Sequence, residues 1–163
     1  MASTALRAEL SRRIRASSPA DWREFSQLWS AFNSIYGGEP DRFERARVMR
    51  CLRESFSAAA ALRVLRATSR SITRILEIPP GDMRRDQVDP NFRAASVKYA
   101  ALYRAPREPS VTRLAALGAV LYQVRCNLVH GSKDPADARD RMLVTESLAV
   151  LRVLVPALED QLT

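Results

Sequence analysis

The sequence predicts an all-α fold, a single helical bundle of about five to seven helices within residues 1–163. Three observations support this class. Glycine is scarce, with 5 residues in the chain. Alternating polar and apolar patterns typical of strands are missing, whereas apolar residues recur at spacings of three and four almost everywhere. A chain of 163 residues has the size of one ordinary domain and is long enough to bury a core.

The composition indicates a globular protein, with 47% hydrophobic and 27% charged residues. No uninterrupted apolar run approaches the roughly 18 to 20 residues of a membrane helix. We therefore expect a cytoplasmic protein with no membrane partner. Cys51 and Cys126 are far apart and form no CxxC motif, and the chain has a single histidine. This pattern predicts neither a bound metal nor a cofactor.

Two helices are predicted in the first part of the chain. Residues 1–17 form a short peripheral helix with Leu6, Leu10 and Ile14 on one face. A second helix follows "SSPAD" and ends at "GGEPD". Its aromatic residues recur at three and four positions and predict a core face rather than a nucleic-acid stacking platform: Trp22, Phe25, Trp29, Phe32 and Tyr36.

The region from Pro40 to about Glu77 reads as one long helix or two abutting helices. Residues 78–92, "IPPGDMRRDQVDPNF", are predicted to form a loop because paired prolines, a glycine and an Asp-Pro step oppose helix. A short, poorly defined segment follows around Tyr99 and Tyr103. The predicted inward positions before the loop are Phe43, Val48, Leu52, Phe56, Leu62, Leu65, Ile72 and Ile75.

Two further helices complete the predicted bundle. The first is capped by Ser110 and ends at Gly131. The last is opened by Asp134 and Pro135 and is kinked near its end by Pro156. Its predicted inward positions are Leu143, Leu148, Leu151, Leu154, Leu158 and Leu162.

The stretch "VRCNLVHGSKD", residues 124–134, contains the single histidine, His130, five positions after Arg125. On a helix, five residues separate the two by about 7.5 Å along the axis and about 140° around it. Arg125 shares a face with Gly118, Tyr122 and other apolar residues, so the helix is apolar more widely than one core contact requires. A glycine inside a helix favours close approach of another helix, which we expect to come from a second copy of the chain.

A guanidinium on an apolar face needs an anion. The anion could be an RNA phosphate, or Arg125 could pair with Asp134 or Asp137 at an ordinary helix end. A homodimer would supply two histidines, one to accept and one to donate a proton when a ribose 2′-hydroxyl attacks the adjacent phosphate. The net charge of +8 permits a polyanionic partner, although an arginine-rich composition also arises in GC-rich genomes.

Two strings carry a family resemblance. "LYQVRCNLVHGSKDPADARDRMLV", residues 121–144, resembles the R-x-x-x-x-H helix ending of HEPN domains, and "WSAFNSIYGG", residues 29–38, is similar to an aromatic helix of some bacterial members. The resemblance implies a helical bundle that dimerises through the motif helices, and many members are metal-independent ribonucleases of toxin or antiviral defence systems. The motif residues fall on Arg125 and His130. The position after the arginine is usually Asn, Asp or His, whereas here it is Cys126.

The resulting hypothesis is a metal-independent endoribonuclease, a toxin or defence component, with RNA as substrate and a second copy as partner. Arg125 and His130 are the expected catalytic residues, Asn127 supports the site in place of residue 126, and Tyr122 and Lys133 contact the substrate. An antitoxin or a protein of a defence complex is a further expected partner. Two alternatives stay open: a noncatalytic HEPN module that binds RNA or protein, and a helical adaptor unrelated to RNA.

Overall fold

The computed structural model describes residues 20–130, 134 and 136–163, and every regular element among them is an α-helix. The predicted all-α class is confirmed for this part of the chain, whereas the predicted helix within residues 1–17 lies outside the described residues. The seven helices are α1 (Ala20–Tyr36), α2 (Glu44–Ser55), α3 (Ala58–Ala67), α4 (Ser69–Glu77), α5 (Ala94–Arg104), α6 (Ser110–Val129) and α7 (Ala138–Leu162).

Helix α6 lies at the centre of the bundle. It packs mainly against α2, α5 and α3, while α7 packs against α1 and α4. Residues on most sides of α6 are buried, including the alanines at 115, 116 and 119 that lie between the larger side chains. Small residues allow several helices to approach one axis closely, so the broad apolar surface of α6 serves packing within one chain.

The aromatic stripe of α1 is a core face, as predicted. All five of its aromatic residues are buried, and from Phe25 to Tyr36 each ring contacts the next one along the helix. The indole Nε1 of Trp29 donates a hydrogen bond of 2.9 Å to the hydroxyl of Tyr36. The stripe therefore supplies core volume and also brings one phenol to the first turn of α2.

The expectation of one or two helices between residues 40 and 77 was wrong, because the structure has three. Helix α2 ends at Ser55, and Ser57 caps α3, with its hydroxyl accepting a hydrogen bond from the amide of Ala60. Thr68 separates α3 from α4 and donates its hydroxyl to the carbonyl of Val64. Phe43, expected to face inward, is 69% exposed because it precedes the first turn of α2.

The predicted loop at 78–92 is confirmed, and the ill-defined segment after it is the regular helix α5. Two predicted caps differ. Ser110 is the first helical residue of α6 and donates to the carbonyl of Ala58 instead of capping its own helix. Asp137, not Asp134, caps α7 by accepting from the amide of Asp140.

The predicted core of α7 is largely confirmed. Five of its six expected leucines are buried, but Leu162, at the last turn, is exposed. Pro156 lies inside α7, as expected. Gly131, predicted to end α6, and Pro135, predicted to open α7, lie outside the described residues.

Candidate functional site

Asn127 fastens the loop at 78–92 to the central helix. Its side chain is 3% exposed, and its Nδ2 donates 2.7 Å to the carbonyl of Gly81. Its Oδ1 accepts from the amide of Met83 at 3.3 Å and from Nε2 of Gln123 at 3.0 Å. We call Gln123 and Asn127 the amide clip. Asn127 thus gives two buried backbone groups of the loop side-chain partners in place of water, and Gln123 supports Asn127 from one turn earlier on α6.

The other end of the amide clip holds an arginine from α2. Oε1 of Gln123, which is 2% exposed, accepts from Nη2 of Arg45 at 2.7 Å. The guanidinium carbon of Arg45 lies 5.2 Å from the ring centre of Tyr122 and 5.8 Å from that of Tyr99. Arg45 is thus held between two aromatic rings by cation–π contacts.

Glu44 is the anion that Arg125 requires. Its Oε2 lies 3.3 Å from Nη1 of Arg125 and 3.4 Å from the hydroxyl of Tyr122, and its Oε1 accepts 2.6 Å from the hydroxyl of Tyr36. We call these four residues the Glu44 cluster. The expected partners Asp134 and Asp137 are not used by Arg125, because α2 brings a carboxylate to the same face of α6. Arg125 keeps 27% of its side chain exposed.

The phenols of the Glu44 cluster are held in their neutral form. Burial raises the pKa of Tyr36, and the hydrogen bond from its hydroxyl to the Glu44 carboxylate raises it further. Burial likewise raises the pKa of Tyr122, with additional effects from Cys126 and Glu44. Both hydroxyls therefore act as donors to the Glu44 carboxylate. The ring of Tyr122, on α6, packs against α2 beside Arg45.

Gly118 does not face a second copy, contrary to the expectation from sequence. A Cβ atom at this position would lie 2.5 Å from Cδ1 of Leu52 and 3.1 Å from Cγ1 of Val48, both on α2. The glycine therefore allows α2 to cross α6 within one chain. One face of α2 carries a side chain every four residues, at Glu44, Val48 and Leu52. Val48 and Leu52 on this face cover Gly118, and Glu44 at its start contacts Arg125.

His130 is exposed immediately after α6, and its amide donates to the carbonyl of Cys126 at 3.0 Å. The two residues of the amide clip, Gln123 and Asn127, lie seven and three residues before His130 on a similar side of the helix, since seven residues make almost two full turns. Arg125 is on a different side, next to α2. The structure thus brings Arg125 and Tyr122 together on Glu44 and places Asn127 and His130 elsewhere. Lys133 lies outside the described residues.

A cleft of about 290 Å³ opens between α2, α5, α6 and the 78–92 loop. Its charged lining consists of Arg45, Arg84, Arg85 and Asp82. Arg84 pairs with Asp82 at 2.9 Å, and Arg85 pairs with Asp89 at 3.3 Å. The remaining lining residues are uncharged: Asn91, Phe92, Ala94, Ala95, Ser96 and Gln123. We call this the arginine cleft.

The sequence did not predict four features of this region: Glu44, Arg45, Gln123 and the arginine cleft. One signal was present in the sequence, since Gln123 and Asn127 are two amides four residues apart in a mostly apolar helix, where each needs a partner. Glu44 and Arg45 gave no such signal, because they lie in a segment rich in charged residues that resembles a solvated helix face.

No family model, curated protein or solved structure matches the chain. Among residues 20–130, 134 and 136–163, no group of three or more His, Cys, Asp or Glu side chains could hold a metal ion. None of the helices in the same ranges is long and apolar enough to cross a lipid bilayer.

Proposed function

We propose that the chain is a metal-independent endoribonuclease of the HEPN type that acts as a homodimer in toxin or defence biology. One observation carries the proposal: the single histidine is exposed at the end of the central helix, while Arg125, five residues earlier, is oriented by Glu44 and remains partly exposed. The resemblance of residues 121–144 to the HEPN motif supports the assignment.

The chemistry follows from the two side chains. Neutral His130 accepts the proton of a ribose 2′-hydroxyl, whose oxygen forms a bond to the adjacent phosphorus. The bond from phosphorus to the 5′-oxygen then breaks, and a protonated imidazole gives that oxygen its proton. The products are a 2′,3′-cyclic phosphate and a 5′-hydroxyl. Arg125 stabilises the charge on the phosphate oxygens, and the Glu44 cluster limits its rotation.

A second copy is needed because one chain has one histidine. Helices α2 and α6 run antiparallel, since Glu44 contacts Arg125 whereas Leu52 lies against Gly118. Phe43, just before α2, and Val129, just before His130, therefore lie at the same end of the bundle. They are 69% and 61% exposed. A two-fold contact across this end would cover both apolar side chains and bring two histidines together.

The test is cleavage of labelled RNA in EDTA by the wild-type chain and by His130→Ala, Arg125→Ala and Arg66→Ala variants. The expected products carry cyclic phosphate ends. His130→Ala should lower the rate by about 10²- to 10⁴-fold, as for loss of a general acid or base. Arg66 is an exposed arginine of α3, so its replacement is the charge-matched control and should leave the rate unchanged. Cleavage that persists in His130→Ala would refute the assignment.

A noncatalytic RNA-binding module is the second candidate, and one observation favours it. Glu44 already pairs with Arg125, and the amide clip already uses the hydrogen bonds of Asn127, so two of the expected catalytic residues have internal partners. The module predicts salt-sensitive binding of RNA, with no cyclic phosphate product from the wild-type chain.

A further inference from the structure

The arginine cleft contains a guanidinium without a carboxylate partner. Among the described residues, Arg45 hydrogen-bonds the neutral amide of Gln123, and no acidic side chain pairs with it. Its Nε is buried and has no hydrogen-bond partner within the described part of the chain. A partly buried cation without an anion is costly, and the usual compensation is a bound anion.

The wall of the cleft also carries a hydroxyl. Ser96, on α5, lines the cleft and is 3% exposed. A hydroxyl can both donate and accept a hydrogen bond, so Ser96 can pair with a polar group of a ligand in the cleft.

We infer that the arginine cleft binds a nucleotide phosphate, with Arg45 and Arg84 on the phosphate and Ser96 and Asn91 on the sugar or base. Arg84 and Arg85 pair with Asp82 and Asp89, so the positive charge without a carboxylate partner in the cleft is that of Arg45. This charge favours an anion, and guanidinium forks suit phosphate oxygens. The cleft, at about 290 Å³, is at the small end of ligand pockets and fits one nucleotide rather than a helix. Side-chain amides and hydroxyls can pair with base edges and ribose.

The ligand can be a free nucleoside monophosphate or one nucleotide of an RNA strand. The second source rests on the proposed function and on the position of the cleft. Gln123 lines it, and His130 follows seven residues later, on a similar side of α6 and about 10.5 Å along the axis. A strand with one nucleotide in the cleft can therefore continue toward the histidine.

The experiment measures binding of AMP, UMP and a short 2′-O-methyl RNA by the full chain, using calorimetry for the nucleotides and fluorescence anisotropy for the labelled oligonucleotide. The methylated RNA has no 2′-hydroxyl and is not cleaved by the proposed chemistry. Arg84→Ala should weaken binding by about three- to tenfold, as expected for one exposed phosphate contact. Ala94→Glu should weaken it by at least about tenfold, because its carboxylate competes for the arginines.

Two variants control for folding and for general charge. Ala94 is exposed at the first turn of α5, where an acidic residue suits the helix dipole, so Ala94→Glu should fold normally. Val97→Glu places the same charge on the same helix, at a residue that does not line the cleft. Arg66→Ala removes an arginine from α3. Both controls should bind within about twofold of wild type, allowing for the screening of distant surface charges.

The results distinguish failure of the cleft assignment from failure of the ribonuclease proposal. Saturable binding that Ala94→Glu weakens and Val97→Glu does not supports the site, and tighter binding of the oligonucleotide than of AMP or UMP identifies an RNA strand as the source. Absence of saturable binding of all three probes, or equal loss in both glutamate variants, overturns the inference. His130→Ala should bind all probes normally. An inactive wild-type chain with an intact binding pattern would refute the ribonuclease and leave the cleft assignment standing.

Discussion

Replacing Asn127 by alanine removes the hydrogen bonds that join the amide clip to the 78–92 loop. The carbonyl of Gly81 loses its donor, and the amide of Met83 and Nε2 of Gln123 lose their acceptor. Each buried polar group left unpaired costs about 1–3 kcal/mol, and partial access of water to the loop reduces the total. We expect the free energy of unfolding to fall by about 2–3 kcal/mol, since such effects are not additive.

The assay is urea unfolding followed by circular dichroism, together with a thermal scan. For a chain of 163 residues, a loss of this size lowers the melting temperature by about 5–10 °C. Asn33→Ala is the matched control, because Asn33 is an exposed asparagine on α1. That change should alter the free energy of unfolding by less than about 0.5 kcal/mol.

The same variant separates a structural role of Asn127 from a catalytic one. If Asn127 acts by holding the loop, Asn127→Ala lowers the melting temperature and weakens AMP binding in the arginine cleft, whose wall the loop forms. An unchanged melting temperature and unchanged AMP binding, accompanied by loss of RNA cleavage, would refute this reasoning. That result would place the Asn127 amide against the substrate, as predicted from the sequence.

Three further changes test the packing, the phenols and the dimer. Gly118→Val should destabilise the chain by about 2–3 kcal/mol through a clash with Leu52, equally at low and high protein concentration; a loss that depends on concentration would contradict contact within one chain. The raised pKa of Tyr36 contributes stability that is fully present below about pH 10, the ordinary tyrosine pKa, and is lost as pH rises toward the folded value, so thermal stability should decline in alkali and decline less steeply in Tyr36→Phe. Phe43→Ser with Val129→Ser should reduce dimer formation in sedimentation velocity and should leave the unfolding free energy within about 0.5 kcal/mol of wild type when both proteins are measured below the concentration at which wild type dimerises; an unchanged dimer would place the interface elsewhere.

The helical class and much of the core could be predicted because they depend on the spacing of apolar residues. The aromatic stripe of α1 and the leucines of α7 follow the helical period, and burial follows from it. Helix boundaries were less predictable. Helix α2 ends at Ser55 and Ser57 caps α3, although the four residues after Ser57 are alanines with high helix propensity. The side-chain hydrogen bond of Ser57 thus marks a helix start inside a stretch whose composition predicts a continuous helix.

The candidate site could be predicted only in part because its contacts join residues far apart in sequence. Arg125 was recognised as needing an anion, but no local pattern identifies Glu44, which lies 81 positions away along the chain. The broad apolar surface of α6 was predicted correctly, but its assignment to contact with a second copy at Gly118 was wrong. Periodicity shows that a face is buried, whereas the identity of the element that covers it depends on the whole fold. Here that element is α2.

The helix α6 separates two groups of polar residues that a linear motif places side by side. Tyr122 and Arg125 face α2 and converge on Glu44, whereas Gln123 and Asn127 face the loop and the arginine cleft. His130 follows the second group around the helix, about 140° from Arg125. If RNA reaches His130 from the cleft of one chain, the guanidinium that stabilises its phosphate must come from the other chain. The proposed reaction uses one histidine from each chain, and a heterodimer of Arg125→Ala with His130→Ala carries a single histidine, so mixing the two variants should not restore cleavage. Restored cleavage in demonstrated heterodimers would show that one histidine is sufficient and that the arginine acts from the other chain.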